Sequence, residues 1–316
     1  MKTRLGRSAK VGLARRAATR SGVVLLYHRV GDPPGDPRYE LVPALGRRPF
    51  EAQLDYLAKT FRVVAPSRLL EAAIERRARE RFPLAITFDD DLRSHVDVAA
   101  PELQRRELRA GFFVTGGAVT GGGGVWWDDL QALADNGQRS PVRLHSLPEL
   151  DLGPVVRGVP GAIHRAAETI ERLPVARLDA VAAELRAHAR RSPQGLTASE
   201  LQSLMEAGFE VGFHTRRHHL LTKLDDEALA TAMTEGRAEL ERALGKPFTA
   251  IAYPHGKADA RVAEAARSSG YAFGFTGYPT SAAPGTDPLM IGRVEVTSAS
   301  LGDFARAITA ALAADE

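Results

Sequence analysis

The sequence predicts an α/β fold of the barrel type. Short apolar runs such as Val23–Tyr27 and Leu84–Phe88 alternate with amphipathic helical patterns, which is typical of βαβ units and of a parallel sheet. We count roughly seven to eight strand and helix units, a number that suits a (β/α) barrel. Charged or imidazole side chains directly follow several of these runs, at the strand ends where barrels place their chemistry.

Each predicted strand is a short, largely apolar run rich in β-branched and aromatic residues. These runs cover residues 23–27, 61–64, 84–88, 111–115, 209–213, 248–253, 273–276 and 291–296. The strand 84–88 is apolar at nearly every position, as expected of a strand covered on both faces.

Each predicted helix has apolar residues at helical spacing. These patterns cover residues 49–60, 68–81, 96–109, 162–172, 175–190, 225–244, 258–270 and 300–313. Within the helix 68–81, Ile74 is expected on the inward face. Thr197–Glu200 has the sequence of a capping box and predicts a further short helix, and Gly270 is placed to end the helix 258–270.

The chain divides into a basic arm at residues 1–21 and a single barrel domain at residues 22–316. The arm holds basic residues and no acidic one: Lys2, Arg4, Arg7, Lys10, Arg15, Arg16 and Arg20. It is either a frayed terminus or a segment that makes weak contact with an anionic surface. We expect no specific nucleic-acid partner.

Residues 138–195, rich in proline and arginine at their turns, are interpreted as a helical insertion in the barrel.

The composition is that of a soluble globular protein. Of the 316 residues, 44% are hydrophobic and 26% charged, and the net charge is +3. The chain contains no cysteine, so a bound metal would be held by histidine and carboxylate side chains. No apolar stretch has the length or pattern of a secretory signal or a transmembrane segment, and we therefore expect a cytoplasmic location.

Three aspartates follow the buried strand in the sequence LAITFDDD. Asp89, Asp90 and Asp91 lie at the carboxyl end of that strand. Carboxylates this close repel one another unless a cation lies among them, so a metal site is the first hypothesis. The alternative is a solvated loop whose aspartates cap the next helix.

A second polar cluster follows the strand 209–213. His214 and His218 stand four residues apart, a spacing that puts two imidazoles on one face of a helical turn, with His219 alongside. Together with one carboxylate of the acidic strand they complete a set of two histidines and an aspartate with open positions. Such a set is typical of a hydrolytic metal centre. His28 ends its own strand and is a further candidate for the site.

The two tryptophans of the chain, Trp126 and Trp127, follow a glycine-rich segment that includes residues 121–124. Paired aromatics beside such a hinge can stack on a sugar or close as a lid. Alternatively, they fill the core beneath a loop.

These motifs resemble those of polysaccharide deacetylases of the chitin- and peptidoglycan-deacetylase type of carbohydrate esterases. The resemblance spans about residues 22–296. The matching pieces are TFDD at Thr87–Asp90, HTRRH at His214–His218, AYPHG at Ala252–Gly256, YHRV at Tyr27–Val30 and FEAQLDYL at Phe50–Leu57.

The resemblance implies a distorted (β/α) barrel of about seven parallel strands that holds one divalent metal, usually Zn²⁺. It assigns Asp90, His214 and His218 as metal ligands and Asp89 as general base. The backbone amide of His255 matches the donor that stabilises the oxyanion. The implied substrate is an N-acetylated glycan or sugar precursor, with Trp126, Trp127, Tyr253, Pro254 and Arg293 as candidate substrate contacts.

Three positions depart from the family pattern. Asp91 stands where glycine is common, and the arginine that often precedes the proline of the third signature is missing before Pro254. The late histidine that protonates the leaving amine has no counterpart near residues 293–296. We expect His28 to serve as the acid, with His255 as the second candidate. Arg293 and Glu295 either orient that group or form a structural ion pair.

Three functions follow from these residues. The first is metal-dependent removal of an N-acetyl group from a sugar. The second is hydrolysis of another small amide C–N bond at the same centre. The third is a non-catalytic glycan-binding role that keeps the metal.

Overall fold

A computed structural model describes residues 20–120, 125–136, 142–189 and 195–313. Most of the predicted basic arm, the glycines 121–124 and both ends of the predicted insertion lie outside these residues. Within the described residues, no helix is long and apolar enough to cross a membrane.

Seven parallel strands form a nearly closed barrel, which confirms the predicted fold class. The described residues contain eight strands, of which all but β2 belong to the barrel: β1 Val23–Tyr27, β2 Arg62–Val63, β3 Pro83–Asp89, β4 Gly111–Val114, β5 Glu210–Phe213, β6 Ala250–Ala252, β7 Phe273–Phe275 and β8 Arg293–Glu295. Their order around the barrel is β7-β6-β5-β4-β3-β1-β8, and β2 pairs with β3 beside this path. A bridge between Phe275 and Ile291, just before β8, links the two edges.

Helices surround the strands and connect them. Within the described residues they are α1 Arg47–Thr60, α2 Leu69–Glu75, α3 Ala100–Gln104, α4 Trp126–Asp135, α5 Gly153–Val156, α6 Ala162–Glu171, α7 Val175–Ala189, α8 Ala198–Glu206, α9 Asp226–Thr234, α10 Arg237–Leu244, α11 Ala260–Ser268 and α12 Leu301–Ala311. The capping box is confirmed, because the Thr197 hydroxyl accepts from the Glu200 amide at the start of α8.

The two-residue period of the strands separates two buried layers. Leu84, Ile86 and Phe88 of β3 pack in the large core cluster beneath the helices. Ala85 belongs to a smaller cluster with Val24, Phe113 and Phe275, inside the barrel. Because alternate side chains share a face, Thr87 and Asp89 continue the inward-facing set of β3.

Two predicted helices differ in the structure. The helix predicted at 68–81 ends at Glu75, and Ile74 is 48% exposed, so its predicted inward position is wrong. The helix predicted at 225–244 is broken into α9 and α10. Gly236, at the break, has a φ of 76°, a left-handed value that glycine adopts without a steric penalty.

The helices α4 to α7 share a hydrophobic cluster of their own. Trp126, Trp127, Ile163, Ile170 and Leu185 are among its buried members. The helices predicted at 162–172 and 175–190 are present as α6 and α7. The helical group begins earlier along the chain than predicted, because α4 packs closely against α7.

Candidate active site and metal centre

The carboxyl ends of the barrel strands bring the predicted site residues together. Asp89 and Asp90 come from the end of β3, and His214 and His218 from the loop that follows β5. His28 follows β1, and His255 lies two residues beyond Tyr253 at the end of β6. Parallel strands place all of these ends at one mouth of the barrel, as the sequence predicts.

Asp89 is held inside the barrel by Arg293. The carboxylate is 2% exposed and accepts two hydrogen bonds, from Arg293 Nη1 at 2.8 Å and from Nη2 at 2.7 Å. The Nε of Arg293 donates to the Thr276 carbonyl at 2.9 Å. Burial by itself would raise the pKa of Asp89, but the charges of Arg293 and His214 lower it to about 2. Asp89 is therefore an oriented, ionised carboxylate.

Asp90, His214 and His218 form a candidate metal site. Asp90 Oδ1 lies 3.3 Å from His214 Nε2 and 3.6 Å from His218 Nε2. Three such atoms fit around one ion, because ligands at about 2.1 Å in a tetrahedron lie roughly 3.4 Å apart. All three residues are buried, and Asp90 Oδ1 has no hydrogen-bond partner in the described part of the chain. An orphaned buried carboxylate oxygen beside two imidazoles fits a divalent cation.

The other ring nitrogen of His214 is used to orient it. Nδ1 lies 2.8 Å from the Ala252 carbonyl, an acceptor, so Nδ1 donates this bond and Nε2 is the nitrogen that faces Asp90. A hydrogen bond of this kind is the usual support for a metal-ligating histidine. Burial by itself would lower the pKa of His214, but the charges of Asp89 and Asp90 raise it.

The loop that carries His214 and His218 is not helical, so the predicted helical turn is wrong. Thr215 has a φ of 53° and His218 a φ of 51°, both in the left-handed region. Asp90 and His255 share this conformation, with φ of 81° and 57°. Non-glycine residues rarely adopt it, and such strain typically gathers at functional sites. Tight turns at several strand ends, rather than one helical face, bring the two imidazoles together.

Asp91 points away from the two imidazoles. Its Oδ1 accepts from the Thr115 amide at 2.9 Å and from the Thr115 hydroxyl at 3.0 Å, and its Oδ2 accepts from the Gly116 amide at 3.1 Å. Burial raises the pKa of Asp91, against the lowering effect of these bonds. The carboxylate thus ties the end of β3 to the end of β4, which accounts for an aspartate where glycine is expected.

His28 faces the same carboxylate from β1. Its Nε2 lies 4.0 Å from Asp90 Oδ2, and its Nδ1 lies 3.7 Å from Glu295 Oε1 of β8. The imidazole is 26% exposed, so it borders the open side of the site. Its backbone carbonyl contacts the buried ring of His95 at 3.2 Å.

His255 lies beside His218. Its ring centroid is 4.7 Å from that of His218, and its Nδ1 is 3.9 Å from Glu171 Oε1 of α6. Burial lowers the pKa of His255, and the nearby His214 acts in the same direction. Both candidate acids therefore lie next to the candidate metal site, His28 beside Asp90 and His255 beside His218.

The five predicted substrate contacts lie in different surroundings. Trp127 is 7% exposed, and its ring centroid is 4.2 Å from that of His218. Trp126 is buried in the helical cluster beside it. Tyr253 is fully buried and its hydroxyl donates to the Leu289 carbonyl, and Pro254 is also buried. Arg293 is fully buried against Asp89.

Residues of the helical insertion also reach the site, and the sequence did not reveal them. Asp179 of α7 accepts from Arg217 Nη1 at 2.6 Å and from His219 Nε2 at 3.0 Å. Both donors belong to the loop after β5 that carries the candidate metal ligands. Asp128 of α4 accepts from Arg29 at 3.2 Å. Acidic residues on amphipathic helices carry no local signal, because most of them are simply solvated.

The chain matches the family model described as polysaccharide deacetylase over residues 76–274, more than half of its 316 residues. His28 and Arg293 lie outside that stretch. Among curated proteins, no sequence matches the chain.

Several solved structures share the fold. IcaB from Ammonifex degensii is 23% identical, with 93% of this chain and 97% of that one covered and a TM-score of 0.58. The Streptococcus pyogenes deacetylase PplD, in complex with acetate, is 16% identical, with coverage of 87% and 92% and a TM-score of 0.57. BC0361, a polysaccharide deacetylase from Bacillus cereus, is 19% identical, with coverage of 91% and 69% and a TM-score of 0.56.

Proposed function

The chain belongs to the polysaccharide deacetylase family, and on that premise we propose that it is a metal-dependent hydrolase of N-acetylated sugars. Its reaction would release acetate and a free amine from a glycan or a glycan precursor. One observation carries the proposal. Two imidazole nitrogens and an orphaned carboxylate oxygen converge beside a second carboxylate, that of Asp89, which is held ionised.

Asp90, His214 and His218 would hold one divalent cation, and two imidazoles with one carboxylate suit Zn²⁺. When bound, such an ion acts as a Lewis acid toward the amide carbonyl and assists the generation of a nucleophile from water. The Ala252 carbonyl orients the His214 imidazole before any ion arrives.

Asp89 is the proposed general base. Its two hydrogen bonds from Arg293 fix the plane of the carboxylate and keep it in the proton-accepting form at neutral pH. Asp89 Oδ2 lies 3.7 Å from His214 Nε2, so a water near the metal ligands is within its reach.

His28 is the proposed general acid that protonates the leaving amine. The ring lies on the Asp90 side of the site, is open to solvent, and has Glu295 near its second nitrogen to orient it. His255 is the alternative acid, and its backbone amide is the proposed donor to the oxyanion.

Trp127 is the proposed apolar wall for the acetyl group or the sugar ring. Its ring contacts His218, and its indole Nε1 is buried with no hydrogen-bond partner in the described residues. A buried donor of this kind is satisfied when a substrate oxygen reaches it. Trp126, packed in the helical cluster, would support Trp127 from behind.

The test is acetate release by the Zn²⁺-loaded protein. Substrates are N-acetylglucosamine oligomers and nucleotide- or lipid-linked N-acetyl sugars. We expect Asp89→Asn and His214→Ala each to lower kcat by at least about 10²-fold. His145→Ala, an exposed histidine of the insertion, is the matched control and should keep full activity. Activity that survives both site substitutions overturns the mechanism.

The same experiment separates the two other functions. Turnover of small amides or formamides but of no glycan would identify hydrolysis of another C–N bond. Metal and glycan binding without turnover would identify a binding protein. Asp91, whose departure from the family pattern would suit such a binding protein, has a structural use at Thr115 and Gly116.

A further inference from the structure

A pocket lies beside the loop that carries His214 and His218, between α7 of the insertion and the barrel. Its volume is about 350 Å³, and we call it the Arg216 pocket. The floor is formed by Thr215, Arg216, Arg217 and His219, which are interleaved with the metal ligands His214 and His218 along the chain. The walls come from α7 at Val175 and from α9 and its flanks at Asp225, Glu227, Ala228, Thr231, Ala232 and Glu235.

Most charges that line this pocket already have partners. Glu235 accepts from Arg217 Nε at 2.8 Å and from Nη2 at 2.8 Å, and Arg217 also binds Asp179. His219 is bound to Asp179 as well. Asp225 caps α9 by accepting from the Ala228 amide. Glu227 is the one acidic residue of the lining that neither pairs with an arginine nor caps a helix. It lies exposed in the first turn of α9.

Arg216 is the exception among the cations. Its side chain is half-buried, and within the described residues its guanidinium forms no hydrogen bond or ion pair. Burial lowers the pKa of Arg216, and so do the charges of Arg186 and Arg217, against Glu235 and Asp91. An arginine stays charged in such a place, so the pocket holds a fixed cation with several unused donors.

A buried hydroxyl accompanies this cation. Thr215 is 1% exposed, and its Oγ1 has no hydrogen-bond partner in the part of the chain that is described. Thr215 is β-branched and has a φ of 53°, a left-handed conformation that such residues rarely adopt. The pocket floor therefore keeps an unsatisfied donor next to an unsatisfied cation.

The break between α9 and α10 makes room for Arg216. A β-carbon at Gly236 would lie 3.0 Å from Arg216 Cδ, and the φ of 76° there also favours glycine. The fold thus accommodates Arg216 without giving it a partner.

We propose that the Arg216 pocket binds an anionic group, a carboxylate or a phosphate, of the acylated saccharide or of the sugar next to it. The proposal deepens the proposed function and rests on it. The guanidinium and the Thr215 hydroxyl supply donors to the anionic oxygens. Since the pocket floor is interleaved with the metal ligands, the anionic group and the scissile amide lie on one substrate molecule. The enzyme therefore prefers acidic saccharides over neutral ones.

The experiment compares three substrates on the Zn²⁺-loaded full chain. They are a neutral N-acetylglucosamine oligomer, a disaccharide of N-acetylglucosamine with a glucuronate, and an N-acetylglucosamine phosphate. We expect the wild type to favour at least one anionic substrate by about tenfold in kcat/KM, as for one charge-assisted hydrogen bond. The glucuronate and phosphate arms identify which anion is read. In Arg216→Gln the preference ratio should fall to about one, and Arg216→Lys should retain part of it.

Calorimetric titration with inorganic phosphate and with glucuronate gives a readout that needs no turnover. We expect binding by the wild type and by Arg306→Gln, an exposed arginine paired with Asp303, but not by Arg216→Gln. If no substrate is deacetylated but Arg216→Gln still abolishes anion binding, the pocket stands and the proposed function fails. Equal kcat/KM for neutral and anionic substrates, together with no anion binding, would show that the Arg216 pocket does not bind an anion. The proposed deacetylase function would still stand in that case.

Discussion

Arg293 donates two hydrogen bonds to Asp89, although the two residues are 204 positions apart in the chain. The register of the barrel explains the meeting, because Arg293 pairs with Val24 of β1, and β1 pairs with β3. Alternate residues of these strands face the interior, where both side chains lie. The partner of Asp89 thus arrives from the last strand of the barrel.

Breaking this pair should destabilise the fold. Arg293→Met leaves the Asp89 carboxylate buried without its cation, and we expect a loss of about 3–5 kcal/mol in the free energy of unfolding. Urea denaturation at pH 7 measures it. Arg306→Met, which removes an exposed pair with Asp303, should cost less than about 1 kcal/mol.

A double-mutant cycle tests whether the cost belongs to the pair. Once Asp89→Asn has removed the negative charge, Arg293→Met should cost clearly less than in the wild type. Equal costs in both backgrounds would show that Arg293 stabilises the barrel through other contacts, such as its bond to the Thr276 carbonyl.

His95 should make stability depend on pH. The ring is fully buried against Phe88 and Phe112, and burial lowers its pKa from 6.5 to about 4. The unfolded chain therefore binds a proton more readily than the folded one, so stability falls as pH drops from about 6.5 to about 4. Over this pH range, the titration of His95 lowers the free energy of unfolding by roughly 2–3 kcal/mol.

His95→Gln removes the titration but keeps a donor for the His28 carbonyl. Urea denaturation at several pH values between 7 and 4 should give a flatter curve for this variant than for the wild type. Parallel curves would contradict a neutral buried His95, because carboxylates elsewhere contribute equally to both proteins.

The sequence could predict what depends on local pattern. The apolar runs identify every strand, and their alternation with helices identifies the barrel. The ends of these runs then point to Asp89, Asp90, His214 and His218 at one mouth. These residues stand out because charged and imidazole side chains directly follow buried strands.

The remaining features depend on register and on backbone conformation. The partner of Asp89 comes from a strand far along the chain, and no local signal distinguishes Arg293 from other arginines. The loop from His214 to His218 looked helical because its spacing matches a helical turn, but its left-handed residues are invisible in the sequence. Asp91 acquires its role only through Thr115, which the pairing of β3 with β4 brings near.

Metal binding should raise the stability of the protein. An ion that binds the folded chain alone stabilises it by about 2.7 kcal/mol at a free concentration 100 times Kd. Chelation should abolish activity, and Zn²⁺ should restore both activity and Tm. Asp90→Asn and His218→Ala should lose the Zn²⁺-dependent rise in Tm, whereas the exposed His145→Ala should keep it. An unchanged rise in the first two variants would place the ion elsewhere.

Asp91→Ala should weaken the fold without removing the metal. The substitution leaves the buried amides of Thr115 and Gly116 without their acceptor, so we expect a loss of about 1–3 kcal/mol for an unsatisfied buried group. Asp91→Asn keeps one acceptor oxygen and should cost less. Urea denaturation gives the stability, and metal analysis of the purified variants gives the Zn²⁺ content, which should stay near one ion per chain. Loss of the ion in Asp91→Asn, with stability unchanged, would instead make Asp91 part of the metal centre.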